Sequence, residues 1–92
     1  MSKARTNRVF VALGSNIRPA FNLRQAVRRL ASRCTVRAVS PVYETAPVGK
    51  ADQPNFLNAA VLIETERDAA ALKEVLQAIE SELGRVRTAD KN

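Results

Sequence analysis

Hydrophobic positions along the 92-residue chain follow two periods, and the switches between them mark the elements. Arg8–Leu13 (RVFVAL) is a short apolar run closed by Gly14-Ser15-Asn16, the signature of a strand followed by a turn. After Pro19, Leu23, Ala26, Val27, Leu30, Ala31 and Cys34 recur at i, i+3, i+4, i+7, i+8 and i+11, one buried helical stripe. Asn22, with Gln25 three residues on, reads as the N-cap of that helix in an N-x-x-Q capping box. Arg24, Arg28, Arg29 and Arg33 fall outside the stripe and predict a basic outer face. Cys34 closes the stripe and reads as a small core residue.

Val36–Tyr43 alternates imperfectly around Pro41, which places this strand at or near a sheet edge. Residues 44–55 hold two prolines, a glycine and mostly polar residues and predict a long loop. Phe56–Thr65 is the clearest strand. Leu57, Ala59, Val61 and Ile63 point one way, and Phe56, Asn58, Ala60 and Leu62 the other. Asp68 then caps a second helix, with Leu72, Val75, Leu76, Ile79 and Leu83 on one face and Gly84 just past its end. Arg85 to Asn92 shows no periodicity.

The order β-α-β-β-α predicts a single α+β domain over residues 1–92. Its antiparallel sheet carries two helices on one face, a ferredoxin-like pattern lacking the usual fourth strand. In a ferredoxin-like sheet of order 4-1-3-2, losing strand four makes residues 8–13 an edge, and Arg8 alone guards it. The sequence therefore predicts a homodimer, or a strand donated by a partner, pairing along residues 8–13.

Composition narrows the chemistry. Histidine is absent and Cys34 is the single thiol, so imidazole zinc sites, Ser-His-Asp triads and internal disulfides are excluded. The formal charge of +6 is uneven: residues 1–43 hold nine Lys or Arg and no acid, while residues 44–92 hold six basic and nine acidic residues. A basic first half suits phosphate-bearing partners or a solvated helix face equally well. Four aromatic residues and no RNP-like motif weigh against nucleic acid. No apolar run is long enough to span a bilayer and none reads as a signal peptide, which predicts a cytoplasmic protein without membrane contact.

Candidate functional residues come from facing and spacing. Phe56 and Asn58 share the sheet face opposite the aliphatic row, where a ring can stack on a planar heterocycle and an amide can read its edge. A half-exposed pair on an uncovered sheet face is the structural alternative. The neighbouring 44–55 loop is longer than the usual ~4–6 residues, a common mark of function. Gln77 and Glu80 share a helix flank. Arg85 and Arg87 follow the glycine and either clamp phosphates or complement the helix dipole. GxxxxGK[ST], GxGxxG and carboxylate clusters for a metal are all absent.

Five segments carry a resemblance that spacing alone does not reach: V-A-L-G-S-N (Val11 to Asn16), N-L-R-Q-A-V (Asn22 to Val27), V-Y-E-T-A-P-V-G (Val42 to Gly49), D-Q-P-N-F-L-N-A-A-V (Asp52 to Val61) and Q-A-I-E-S-E-L-G-R-V-R (Gln77 to Arg87). Their order and gaps resemble hydroxymethyldihydropterin pyrophosphokinase, which moves the β,γ-diphosphate of ATP onto a reduced pterin in folate biosynthesis. The resemblance implies that Thr45, Ala46 and Val48 line a pterin slot, with Phe56 stacking on the ring and Asn58 bonding its edge. It also implies that Gln77, Glu80, Arg85, Arg87 and Lys91 serve the nucleotide, with Arg85 catalytic and Lys91 in a loop. ATP and Mg2+ are the implied cofactors. In that family a D-x-D segment after G-R-x-R holds magnesium and forms the fourth strand. These 92 residues contain no such segment, so the expectation is a pyrophosphokinase-like domain, weak or inactive by itself, with a non-catalytic binding or interaction module as the alternative.

Overall fold

A computed structural model describes residues 5–47, 49, 52–84 and 86–91. Its elements are β1 (Asn7–Ser15), α1 (Pro19–Arg33), β2 (Thr35–Val39), β3 (Tyr43–Thr45), β4 (Phe56–Thr65), α2 (Ala69–Leu83) and β5 (Arg87–Lys91). One antiparallel sheet runs β2-β4-β1-β5, with β3 also pairing β4. The α+β class and the two helices stand as expected, and the arrangement is consistent with a ferredoxin-like fold.

Two features of the sheet differ from the expectation. Residues 87–91 form a strand, so the fourth strand is present and β1 is not an edge. Phe10 lies opposite Lys91, and Gly14 lies opposite Arg87. With β4 on one side and β5 on the other, residues 10–14 of β1 are laddered on both sides, which removes the open edge on which the expected pairing through residues 8–13 rested. The reason is physical: R-T-A-D-K has no apolar alternation because an outermost strand is held by its ladder, and the apolar anchor is buried Val86 just before it. The second difference lies at Pro41, which cannot donate to the ladder and splits the predicted 36–43 strand into β2 and β3. Ser40 bridges the break. Its backbone N–H donates to the Ala60 carbonyl at 2.8 Å, and its Oγ accepts the Ala60 N–H at 2.8 Å.

The core lies on one sheet face, where Val11, Leu13, Val61 and Ile63 meet Leu23, Ala26 and Leu30 of α1. Leu72, Leu76 and Ile79 of α2 complete it. The alternation of β4 follows the predicted facing, with Ala59, Val61 and Ile63 buried.

Asp68 caps α2 as predicted, accepting the Ala71 N–H at 2.8 Å, and Gly84 ends it in the left-handed region at φ 67°. The start of α1 departs from the reading. Pro19 is the first helical residue, Arg18 holds the N-cap position at φ 43°, and Asn22 sits inside the first turn. Asn22 is buried and donates from Nδ2 to the Ile17 carbonyl at 2.5 Å. The amide thus braces the turn from within the helix instead of capping it from outside.

The basic face of α1 is also smaller than predicted. Arg33 reaches Glu82 of α2 at 2.7 Å and Arg29 reaches it at 3.5 Å, leaving Arg24 and Arg28 exposed. Among the described residues no helix is long and apolar enough to cross a membrane.

Candidate functional site

Strand register brings four residues into one row across the sheet. Tyr43 of β3 lies opposite Asn58 of β4, Asn58 opposite Gly14 of β1, and Gly14 opposite Arg87 of β5. Two residues along β4, Phe56 lies opposite Thr45. The face presented is the one the helices do not cover, so Phe56 and Asn58 open onto a cleft of about 530 Å³. Thr45, Ala46, Pro47, Gln53 and Arg87 form its walls together with that pair. Its volume lies within the roughly 300–1,000 Å³ of ordinary small-molecule pockets.

The polar groups of the cleft are oriented. Asn58 Nδ2 donates to Thr45 Oγ1 at 2.9 Å and to the Tyr43 carbonyl at 3.3 Å. A carbonyl only accepts, so the amide nitrogen must face β3, and Oδ1 is the atom left toward Gly14. None of the described residues donates to Oδ1. The Arg87 guanidinium carbon stands 5.9 Å from the centroid of the Phe56 ring, at the outer range of a cation–π contact. The walls are fastened from outside as well. Asn55 Nδ2 donates to Glu44 Oε2 at 2.9 Å, tying the far end of the loop to its start, and Asn16 Nδ2 reaches the Pro54 carbonyl at 3.4 Å.

The predicted residues do not all meet in one place. Thr45, Ala46, Phe56, Asn58 and Arg87 meet in the main cleft. Glu80 borders an adjoining cleft of about 390 Å³ that also contains Phe56, Arg87 and Gly14, so it stands at the boundary of the site. Its Oε2 accepts from Thr88 Oγ1 at 2.7 Å, joining α2 to β5. Gln77 is exposed and shares with Glu80 a separate depression of about 330 Å³, apart from Phe56. Val48 and Arg85 lie outside the described residues. Lys91 does not sit in a loop: its backbone is in β5 opposite Phe10, four residues along the strand from Arg87.

Gly14, like Pro47 and Gln53 of the walls, is a cleft residue that the sequence reading does not reach. The local sequence reads it as the start of a turn, whereas it forms the floor beside Asn58. The signal that could have found it is register, since Gly14 faces Asn58 only once β1 and β4 are aligned antiparallel. No cluster of three or more His, Cys, Asp or Glu able to hold a metal occurs among the described residues.

The family model for 7,8-dihydro-6-hydroxymethylpterin-pyrophosphokinase matches residues 10–92. The chain belongs to this family. It is 51% identical over 85 residues to the 2-amino-4-hydroxy-6-hydroxymethyldihydropteridine pyrophosphokinase of Bacillus subtilis, covering 88% of this chain and 50% of that protein. The enzyme of the same name from Pseudomonas aeruginosa is 45% identical over 84 residues, covering 87% of this chain and 51% of that protein. The folic acid synthesis protein FOL1 of Dictyostelium discoideum is 33% identical over 88 residues, covering 95% of this chain and 13% of that protein. The chain thus spans about half the length of the bacterial relatives it matches. Among solved structures, the C-terminal domain of the MgtC protein from Mycobacterium tuberculosis superposes with a TM-score of 0.53 at 15% identity. It covers 99% of this chain and 93% of that one. At that identity the likeness concerns the fold alone.

Proposed function

We propose that this chain supplies the pterin slot of a pyrophosphokinase, which transfers the β,γ-diphosphate of ATP to the hydroxymethyl group of a reduced pterin. In that reaction the pterin hydroxyl oxygen bonds to the β-phosphorus, the bond from that phosphorus to the α,β-bridging oxygen breaks, and AMP leaves. The hydroxyl proton passes to solvent. The observation that carries the reading is the convergence of Phe56, Asn58 and Thr45 in one cleft with Arg87 at its rim. A flat, amino-bearing ring satisfies this cleft: Phe56 offers a stacking surface and Asn58 Oδ1 an acceptor. Arg87, at the side of the cleft shared with Glu80, suits the phosphates, with Arg85 a further candidate for the same task. Gln77 and Glu80 fall to the nucleotide side in this reading.

Diphosphoryl transfer is mostly charge neutralisation, and metal ions commonly provide it. The described residues hold no group of three or more His, Cys, Asp or Glu that could bind a metal, and the 92 residues hold no D-x-D pair. No step is therefore assigned to a metal held by them. A polypeptide of these residues is expected to bind the pterin and to release AMP from ATP only at background rate. Each missing decade of rate corresponds to about 1.4 kcal/mol of transition-state stabilisation. Calorimetry with hydroxymethyldihydropterin should give saturable heat, while AMP formation with ATP and Mg2+ stays at the buffer rate. Turnover of ~1 per second or faster would contradict the second expectation. Absence of pterin binding at millimolar concentration, with and without an ATP analogue, would overturn the first.

A further inference from the structure

We propose that Gly14 determines ligand specificity by positioning Asn58, an inference that rests on the pterin reading of the cleft. A Cβ built at Gly14 would stand 3.0 Å from Asn58 Oδ1, with Phe56 Cδ1 next at 3.9 Å. That first distance is inside the roughly 3.5–4 Å at which non-bonded heavy atoms pack best. The backbone at Gly14 does not demand glycine, because Gly49 and Gly84 are the glycines of positive φ. What Gly14 supplies is empty space, and Asn58 Oδ1 occupies it.

The amide cannot simply step aside. Its Nδ2 is held from the opposite strand by Thr45 Oγ1 and the Tyr43 carbonyl. Retreat of Oδ1 from a new methyl by a few tenths of an ångström would press Nδ2 against those two acceptors and distort both bonds, and a flip would set oxygen against oxygen at Tyr43. Glycine on one side and two fixed acceptors on the other therefore present an acceptor to the cleft in a single orientation. The cleft consequently selects a heterocycle that turns an N–H edge toward β1, and it leaves an all-acceptor edge unpaired.

A double-mutant cycle on the full chain tests this with 6-hydroxymethylpterin as the probe. Gly14→Ala is expected to weaken binding at least ~10-fold when Asn58 is present and less than ~2-fold in the Asn58→Ala background, where no oxygen remains to be displaced. The same cycle read by urea unfolding needs no ligand. There Gly14→Ala should lower the midpoint when Asn58 is present but leave it unchanged in the Asn58→Ala background. Equal losses in both backgrounds, or none in either, would overturn the proposal. Coupling in the unfolding cycle from a chain that binds no pterin would overturn the pterin reading and leave Gly14 as the positioning residue of Asn58.

Discussion

Asn22 is the side chain on which the entry to α1 turns. Its Nδ2 holds the Ile17 carbonyl directly before Arg18, whose φ of 43° is unfavourable for a residue with a Cβ. Ser15 Oγ also reaches that carbonyl at 3.1 Å, so loss of Asn22 leaves it partly satisfied. Asn22→Ala should therefore cost about 1–2 kcal/mol, below the full penalty for an unpaired buried group. Urea denaturation measures this, and an unchanged midpoint would refute the bracing role. The N-x-x-Q spelling at Asn22 and Gln25 matched a cap, but the cap position lies four residues earlier because Pro19 already fits the first helical turn. Nothing in the local spelling announces a left-handed arginine. By contrast, Phe56 and Asn58 were legible from alternation alone, since a strand with one buried face fixes the facing of every residue.

At the level of elements, β5 decides what becomes of β1. Thr88 is the link, donating to Glu80 Oε2 on α2 while its strand pairs β1. Thr88→Val keeps the shape and removes that bond, which should cost about 1 kcal/mol and speed amide exchange along residues 87–91. Hydrogen exchange also tests the strand itself. β1 amides directed at β5 should be protected in the wild-type chain, and free exchange of every second amide between residues 10 and 14 would contradict the assigned register. The strand escaped the sequence reading because edge strands are recognised by pairing, and R-T-A-D-K carries charge where a central strand would carry aliphatic residues. The caps of α2 were legible for the opposite reason. Asp68 and Gly84 do their work through local geometry, within one turn of the residues they serve.

Across the whole molecule, one core supports one open face. Leu30 of α1 is fully buried between the sheet and α2, and a domain of this size has a total stability of only about 5–14 kcal/mol. Leu30→Ala should remove about 2–5 kcal/mol of it, read as a shift in unfolding midpoint. Such a loss on the helix side would leave the cleft geometry intact at temperatures where the chain stays folded, because the site lies on the opposite sheet face. One titration tests ligand binding on that open face most directly. The intrinsic fluorescence of 6-hydroxymethylpterin is followed against the wild-type chain, Phe56→Ala and Asn58→Ala, with circular dichroism confirming that all three are folded. Saturable binding by the wild type, weakened in Asn58→Ala by about 1–3 kcal/mol and comparably in Phe56→Ala, is the predicted result. Equal affinity in all three, or a folded wild type that leaves the fluorescence unchanged at millimolar concentration, would contradict it.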